Sequence, residues 1–402
     1  MDIRAKLRRQ FRLLDEEALR RERAIDAYNE IIVYLRRFLY PVGMDVLDAN
    51  FHWNWRTSLS LGCLVTYFSF LVYTVYVYWG ELMLTMEAFS ITGIGVQGIF
   101  KMRSGFKYFD FFNQRYRLLK ALHARNSCHQ ENNRALVFCC LLIGVIFKVF
   151  FIAYLISGTG FLLIPMYMYV MHNEKLMVLK VNVPGFDPTT QLGFLVTTGY
   201  HTLLIFMAIA GILASDLGIM LIVLHIVGIA DVFKNGLKEL DELLTDEDRT
   251  DEEVHEKVLE ICIMHRELIV YEEELDSCYA TIVFVQVITS VACLVLSLFI
   301  FYVTQNIGSG LFIIAAFFQL LEFCMLGTAL TIKNEEILLA LYDVRWNALS
   351  NQQRKLWQFL LHRSQNAVEM TIGGVALLNM ETFVEIIKTI YSYFAMMVQF
   401  VE

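Results

Sequence analysis

The sequence predicts an all-α polytopic membrane protein with seven transmembrane helices, and three observations carry that prediction. The 402 residues are 57% apolar and only 18% charged, with a mean hydropathy of +0.51. Several apolar runs are long enough to cross a bilayer, which takes about twenty helical residues. Basic residues are concentrated in alternate connecting segments, as expected for a chain that crosses a membrane repeatedly.

The N-terminal arm is charged and lacks the apolar core of a secretory signal peptide. Between its charges, Leu7, Phe11, Leu14 and Leu19 recur at helical spacing. This pattern predicts an amphipathic cytosolic segment that ends at the boundary of residues 36–41, before the first span.

Seven spans follow the arm. They are placed at about 57–79, 82–101, 135–156, 193–223, 279–303 and 310–332, with the last from Glu381 to Phe400. The predicted organisation begins with a cytosolic arm, 1–56, followed by spans 1–4 within 57–223, which include an outer loop at 157–192. A cytosolic helical anchor, 224–278, leads to spans 5 and 6 within 279–332. A cytosolic anchor helix within 333–370 then precedes a pore-lining span 7 within 371–402.

One apolar run, residues 161–171, is ambiguous. It has eleven residues, contains Pro165 and is too short to cross by itself, so it is assigned to the interface or the outer loop. If it did cross, the spans would number eight and the C-terminus would change sides.

The distribution of Lys and Arg orients the chain. The arm through Arg56 carries 11, residues 101–134 carry 8, and residues 224–278 and 333–367 carry 5 each. The alternate loops carry only Lys175 and Lys180. The bias predicts a cytosolic N-terminus and an extracellular C-terminus.

The segments predicted to be cytosolic also have helical patterns. Apolar periodicity through 237–263 indicates that spans 4 and 5 continue as helices into the cytosol, with residues 245–250 forming the turn between them. Residues 335–361 show a similar pattern. The cytosolic side is therefore expected to be bulky and helical.

The motifs of several functional classes are absent from the sequence. It contains no nucleotide-binding motif, no nucleophile constellation and no cysteine spacing typical of a metal site, so no enzyme activity, cofactor, metal or nucleic-acid partner is expected. The eight cysteines are expected to be unpaired core residues. A cytosolic N-terminus with seven spans is the reverse of the G-protein-coupled receptor topology.

The last span is unusual because it is apolar on one side only. On a helix of 3.6 residues per turn, Glu381, Glu385, Lys388, Ser392 and Gln399 share one narrow stripe. Hydrocarbon cannot satisfy such a stripe, so it must face protein or water. Two alternatives remain open from the residues alone: burial within a bundle, with Glu385 and Lys388 paired, or a helix that lines an aqueous path.

The C-terminal sequence, residues 357–400, resembles the signature of the insect odorant receptors. The core of the match is the Thr-x-x-Ser-Tyr-Phe run at 389–394, followed by apolar residues and Gln399. Residues 224–240 are similar to the helix that extends the fourth span of that family into the cytosol. Gustatory receptors share the fold and a related motif, and a metabotropic seven-span receptor or a transporter is the alternative from another class.

The resemblance implies an odorant-gated, non-selective cation channel of the plasma membrane in sensory neurons. Its subunits would form a tetramer, with a shared co-receptor as partner and the cytosolic anchor holding them together. The loop between spans 4 and 5 is short, as in a ligand-specific tuning subunit. Other expected partners are a small volatile odorant, membrane lipid and permeating cations.

The same resemblance implies roles for residues of the last span. Met396, Gln399 and Phe400 match the outer constriction of the pore, where apolar rings close a pore by dewetting, and Ser392 would line it. The alternative is that Met396 and Phe400 face lipid. The charged residues of the stripe would lie at the cytosolic mouth, either in an ion vestibule or in pairs.

A pocket for volatile odorants is expected in the outer half of the bundle, lined by aromatic and aliphatic residues with few polar groups. The candidates are Met86, Phe89, Ser90, Phe147, Phe151, Tyr154, Thr197, His201, Ile205, Leu311, Ala315 and Phe318. Taken singly, each of them is more often a core residue than a ligand contact.

Overall fold

The computed structural model describes Leu19, residues 22–305 and residues 307–399. Within these residues the chain is a bundle of long helices with one short hairpin. The helices are α1 Ala24–Val42, α2 Trp55–Val77, α3 Leu82–Ser90, α4 Thr92–Lys107, α5 Phe109–Asn126, α6 Gln130–His172, α7 Gln191–Thr245, α8 Asp251–Thr304, α9 Ile307–Asp343, α10 Asn351–Gln365 and α11 Met380–Gln399. A 3-10 turn, Trp346–Ala348, precedes α10, and strands β1 Thr371–Ile372 and β2 Ala376–Leu377 precede α11.

The prediction of an all-α polytopic fold is confirmed. Among the described residues, six segments are long and apolar enough to cross a membrane, namely α2, α3 with α4, α6, α7, α8 and α9. Helix α11 has 20 residues, so it is about 30 Å long at 1.5 Å per residue and can cross as well. Its polar stripe makes it less apolar than the other six.

Helices α7 and α8 are far longer than a bilayer needs, which confirms that spans 4 and 5 continue beyond the membrane. They have 55 and 54 residues, or about 80 Å each. The predicted turn at 245–250 is also correct. Thr250 begins α8 with a capping box, in which its hydroxyl accepts from the backbone N–H of Glu253 and the Glu253 carboxylate accepts from the backbone N–H of Thr250.

The assignment of residues 157–171 to a loop was wrong. Helix α6 runs without a break to His172, with Pro165 inside it. The length argument failed because the apolar run is not a separate element: it is continuous with the third span and extends that helix. The irregular segment is therefore residues 173–190, which define the loop end of the bundle. The end at which α7 passes into α8 is the anchor end.

Two further boundaries differ from the prediction, whereas the last helix begins within one residue of the predicted Glu381. The second span is interrupted at Ile91, where α3 ends and α4 begins. The helix predicted through 335–361 is broken at residues 344–350 by the 3-10 turn and a capping box at Ser350. Helix α11 begins at Met380 because the preceding residues form the β hairpin, whose turn has Gly373 at φ +64° and Gly374 at φ +77°. Two such residues in succession are typical of a type I′ turn.

The N-terminal arm is more deeply packed than an interfacial segment would be. Helix α1 packs against α6 and α7, and Tyr28, Leu35 and Leu39 are buried in the main core. Leu19 is buried as well, while Leu7, Phe11 and Leu14 lie outside the described residues. The eight cysteines, all of them in the described part of the chain, are unpaired as predicted, but they are not all core residues: Cys128 is exposed and Cys262 is only half-buried.

Candidate functional site

The main cavity runs through the middle of the bundle and has a volume of about 290 Å³. It extends from Leu179, in the loop-end segment, to Tyr279 on α8, and is lined mainly by apolar side chains from α1, α2, α4, α6, α7 and α9. Small residues of α7 widen it: a Cβ added at Gly211 or Gly218 would meet no atom within 4 Å. The size and the apolar lining suit a small hydrophobic ligand.

A second cavity, of about 400 Å³, lies at the loop end. It shares Ile91, Phe161, Leu179 and Phe312 with the main cavity. Its rim is more polar and includes Glu87 and Lys180, whose charged groups lie 3.8 Å apart. The two cavities therefore adjoin at the loop end of the bundle.

His201 fixes the segment that separates the two cavities. Its Nδ1 accepts from the backbone N–H of Leu179 at 3.3 Å, so Nε2 carries the proton and donates to the Val181 carbonyl at 2.9 Å. Thr74 adds a third tie, because its hydroxyl accepts from the backbone N–H of Asn182 at 2.7 Å. These bonds hold residues 179–182 in place, and Leu179 among them lines both cavities.

Buried polar side chains form a network beside the main cavity. Lys101 of α4 donates from Nζ to Oδ1 of Asp216 on α7 at 2.5 Å, and the two side chains are 6% and 1% exposed. Gln319 of α9 reaches Asp216 Oδ2 at 3.5 Å and donates to Oε1 of Gln97 at 3.0 Å. Gln97 in turn donates to Oγ1 of Thr289 on α8 at 2.8 Å. The network thus joins four helices, and its Lys101 and Gln319 reach the cavity wall.

A second polar pair lies one turn along α9 from Gln319. Tyr154 of α6 donates to Oε2 of Glu322 at 3.4 Å, while Oε1 of Glu322 is buried without a hydrogen-bond partner. Tyr154 also lines the cavity. Charged and polar groups at this depth are costly in a membrane protein unless they have partners. They give an otherwise apolar cavity a small number of fixed polar contacts.

No local sequence signature marks this network. Asp216 stands near the inner end of the predicted fourth span with no motif around it, yet it is buried against Lys101. Lys101 itself was counted only among the basic residues of a cytosolic loop. The one signal of buried ion pairs in the sequence is that single charged residues stand next to apolar runs. This signal does not indicate which of those residues will be in contact in the fold.

The twelve predicted ligand-contact residues are spread over several environments. Tyr154, Ile205 and Ala315 line the main cavity, and Ser90 lines the second one. Phe147 and Thr197 are buried outside both linings. Phe89 is 41% exposed. The remaining candidates, Met86, Phe151, His201, Leu311 and Phe318, also lie outside both linings, although the Leu311 carbonyl accepts from Ser157, a cavity residue, at 3.1 Å.

The polar stripe of α11 points away from the helical bundle. Phe383 and Ile390 are the buried residues of this helix, and Ile386, Ile387 and Met397 pack against the same core. On the opposite face the stripe residues Glu381, Glu385, Lys388, Ser392 and Gln399 are exposed, as is Met396. Within the described residues Glu385 and Lys388 form no ion pair with each other. Phe400 lies outside the described residues.

The hairpin ties the start of α11 to two long helices. Asp276 of α8 accepts from the backbone N–H of Thr371 at 2.8 Å, and Thr328 of α9 accepts from the backbone N–H of Met380 at 2.9 Å. Between these ties the backbone of Leu378 touches α9 so closely that a Cβ at Gly327 would lie 1.7 Å from its carbonyl oxygen. The start of α11 is therefore fixed to both α8 and α9.

The anchor end is rich in ion pairs. Lys234 of α7 lies 2.9 Å from Asp231 and 2.6 Å from Glu336 of α9, and Lys333 bridges the same two carboxylates at 3.3 and 2.8 Å. Trp357 of α10 is buried and donates to the Leu341 carbonyl at 3.2 Å. These contacts hold the extensions of α7 and α9 together with α10.

Comparisons with known proteins agree with this fold. The family model described as 7tm Odorant receptor matches residues 81–391. Two relatives from Drosophila melanogaster match almost end to end. Putative odorant receptor 83c is 22% identical over 389 residues, which cover 92% of this chain and 96% of that protein. Odorant receptor 22b is 23% identical over 390 residues, which cover 92% of this chain and 93% of that protein.

The fold is also similar to that of a solved receptor. The olfactory receptor OR5 from Machilis hrabei in complex with eugenol aligns with a TM-score of 0.73 at 14% identity, covering 92% of this chain and 99% of that one. A second solved structure of the same receptor aligns with a TM-score of 0.70 at 15% identity, covering 91% of this chain and 99% of that one. Because the family model spans more than three quarters of the sequence, the chain belongs to the seven-transmembrane odorant receptor family, as a multi-pass protein of the plasma membrane.

Proposed function

We propose that this chain is an odorant-gated subunit of a non-selective cation channel, which assembles with a shared co-receptor subunit. The observation that carries the proposal is the apolar cavity of about 290 Å³ with its few fixed polar groups. A cavity of that kind accommodates a small, mostly apolar volatile and orients it by one or two hydrogen bonds. The receptor of similar fold from Machilis hrabei forms a complex with eugenol, a small volatile of this kind.

The ligand would bind among Tyr154, Ile205 and Ala315, with Lys101 and Gln319 as the polar contacts. It would enter through the second cavity, past Ser90 and the segment held by His201. Ile205 and Ala315 supply apolar contact area, and the Tyr154 hydroxyl offers a hydrogen bond. The other predicted contact residues would support the pocket by packing behind this lining.

Filling the cavity tests the ligand site. Gly218→Leu places a large side chain in the open space of the cavity, whereas Gly199→Leu makes the same change on an exposed face of the same helix, where a Cβ likewise meets nothing within 4 Å. In cells that express the chain with a co-receptor, Gly218→Leu should raise the odorant concentration for half-maximal current by tenfold or more, on the order of 1.4 kcal/mol of lost binding. Gly199→Leu should respond like the wild type. Equal responses of the two variants would place the ligand elsewhere.

We further propose that α11 lines the pore. Its apolar face packs on its own subunit while its polar stripe is exposed, and water in a pore is the environment that such a stripe requires. Met396, Gln399 and Phe400 would form the outer constriction, with Ser392 below them. Glu381, Glu385 and Lys388 would form an ion vestibule at the cytosolic mouth.

Ion selectivity tests the pore. Gln399→Ala, or Met396→Glu, should change the relative permeability to cations without changing which odorant activates the channel. Tyr391→Gln is the control, because Tyr391 is exposed on α11 but lies outside the stripe. Unchanged selectivity in both test variants would rule out this helix as the pore wall.

The anchor end would hold the subunits together. Leu259, Ile263 and Val270 are exposed along one face of α8, and Leu339 and Tyr342 are exposed on α9. Where the helices extend out of the membrane, this many exposed apolar side chains indicate a protein–protein interface. Ile263→Asp should therefore reduce co-purification with the co-receptor, whereas Glu267→Ala, one turn away, should not. Undiminished co-purification of Ile263→Asp would place the interface elsewhere.

A further inference from the structure

Three buried side chains at the anchor side of the bundle converge on one point. His123 comes from α5, Cys140 from α6 and His225 from α7, and their ligand atoms all lie within 4.8 Å of one another. None of the three side chains is more than 1% exposed. They lie outside both cavities, and the proposed channel function does not use them.

The hydrogen bonds fix the state of both imidazoles. Nδ1 of His123 lies 2.8 Å from the Leu119 carbonyl, and Nδ1 of His225 bonds to the Leu221 carbonyl. A carbonyl can only accept, so each Nδ1 carries the proton and each Nε2 presents a lone pair. Bonds of this type, from the distal ring nitrogen to a backbone carbonyl, orient histidines that bind metals.

The cluster has more acceptors than donors. Two Nε2 lone pairs face a single thiol, which lies 3.4 Å from His123 Nε2, and His225 Nε2 is buried with no hydrogen-bond partner. An orphaned acceptor in an apolar core is costly. Tyr28 does not supply the missing donor, because its ring stacks on His123 with centroids 4.6 Å apart and its hydroxyl donates to the Tyr116 carbonyl. A cation would satisfy all three atoms at once.

We propose that His123, Cys140 and His225 bind one Cu(I) ion. Metal–nitrogen and metal–sulfur bonds of about 2.0 and 2.3 Å place such ligand atoms roughly 3.5 Å apart. The sulfur–nitrogen pair already has this spacing, and the widest pair would close by no more than about 1.3 Å, the difference between 4.8 and 3.5 Å. Binding releases the Cys140 thiol proton to solvent and involves no change of oxidation state.

Charge and burial favour Cu(I) over a divalent ion. Thiolate and imidazole ligands suit Cu(I), which accepts three-coordinate geometry, and one thiolate neutralises it. Zn²⁺ would leave a net positive charge in an apolar core and would need a fourth ligand. The aromatic ring of Tyr28, which lies against both histidines, shields the site from water.

Copper binding to the purified full-length receptor tests the proposal. The protein would be kept reduced and equilibrated with Cu(I) buffered by a chromophoric chelator. The wild type should retain one copper ion per chain. Cys140→Ser and His225→Gln should each bind more than about 100-fold more weakly, since even substitutions outside the ligand shell cost 10–100-fold. Cys139→Ser is the matched control, because Cys139 is adjacent and equally buried but bonds to the Leu224 carbonyl instead.

X-ray absorption at the copper edge of the wild-type protein gives a second readout that needs no variant. One sulfur and two nitrogen neighbours should surround the ion. No retained copper in the wild type, equal binding by Cys140→Ser, a spectrum without sulfur, or displacement of the copper by zinc would each overturn the assignment.

Discussion

Asp216→Asn removes the negative half of the buried ion pair with Lys101 and should destabilise the protein strongly. The ammonium and carboxylate lie 2.5 Å apart with side chains 6% and 1% exposed, and the next bond to Asp216, from Gln319, is long at 3.5 Å. Asparagine keeps the shape but leaves the lysine charge without a counter-ion. Breaking a buried pair in this way costs about 3–5 kcal/mol, which is roughly two to four orders of magnitude in the ratio of folded to unfolded protein.

The same reasoning predicts that the pair can be replaced as a unit. In Lys101→Met with Asp216→Leu neither member of the pair is left buried without its partner, so the double variant should be closer to the wild type in stability than Asp216→Asn is. The free energy of unfolding would be measured by denaturant titration of the purified protein in mixed micelles. Asp343→Asn, on an exposed part of α9, is the control and should change it by less than about 0.5 kcal/mol. An Asp216→Asn protein as stable as this control, or a double variant as unstable as the single one, would refute the reasoning.

Three further changes have expected outcomes. Gly327→Ala should lower the thermal unfolding midpoint, because the added Cβ would collide with the backbone of Leu378 ahead of α11. Gly144→Ala is the control, because its Cβ meets nothing within 4 Å and should not lower the midpoint. Equal midpoints of the two variants would contradict the close approach at Gly327. Thr250→Ala should cost about 1 kcal/mol through loss of the helix cap. Hydrogen bonds from the backbone N–H of Thr250 and, second, from its hydroxyl lower the pKa of Glu253. The stabilisation by the Glu253 carboxylate is therefore complete above the ordinary pKa of a glutamate and is lost as the pH falls through the lower folded value. A stability difference between the wild type and Glu253→Gln that stays constant from pH 7 to pH 3 would be inconsistent with it. His201→Ala should speed amide hydrogen exchange at the loop end, measured by mass spectrometry, and unchanged exchange there would show that the histidine does not hold that segment.

Local sequence signals predicted the elements that depend on neighbouring residues. Apolar run length located the spans, and the acidic, polar turn at 245–250 located the boundary between α7 and α8, because capping residues act within three positions of each other. The same local logic failed at 161–171. Run length measures how much apolar chain is present, but it does not say that Pro165 will be tolerated inside a continuing helix.

The site could be predicted only in part, because it is built by residues far apart in the chain. Lys101 and Asp216 are separated by 115 positions, and the His123–Cys140–His225 cluster spans about a hundred. Neither set has a characteristic spacing, so packing alone brings them together. The stripe of α11 was readable because its residues lie on one helix with a fixed period, and the structure adds that this face is exposed.

The central claim is that this chain forms part of an ion channel opened directly by an odorant. The most direct measurement is the odorant-evoked current in excised membrane patches from cells that express the chain with a co-receptor. A cation current that persists without nucleotides, and that shifts its odorant dependence in Gly218→Leu but not in Gly199→Leu, is the predicted result. A current that requires GTP would contradict the claim.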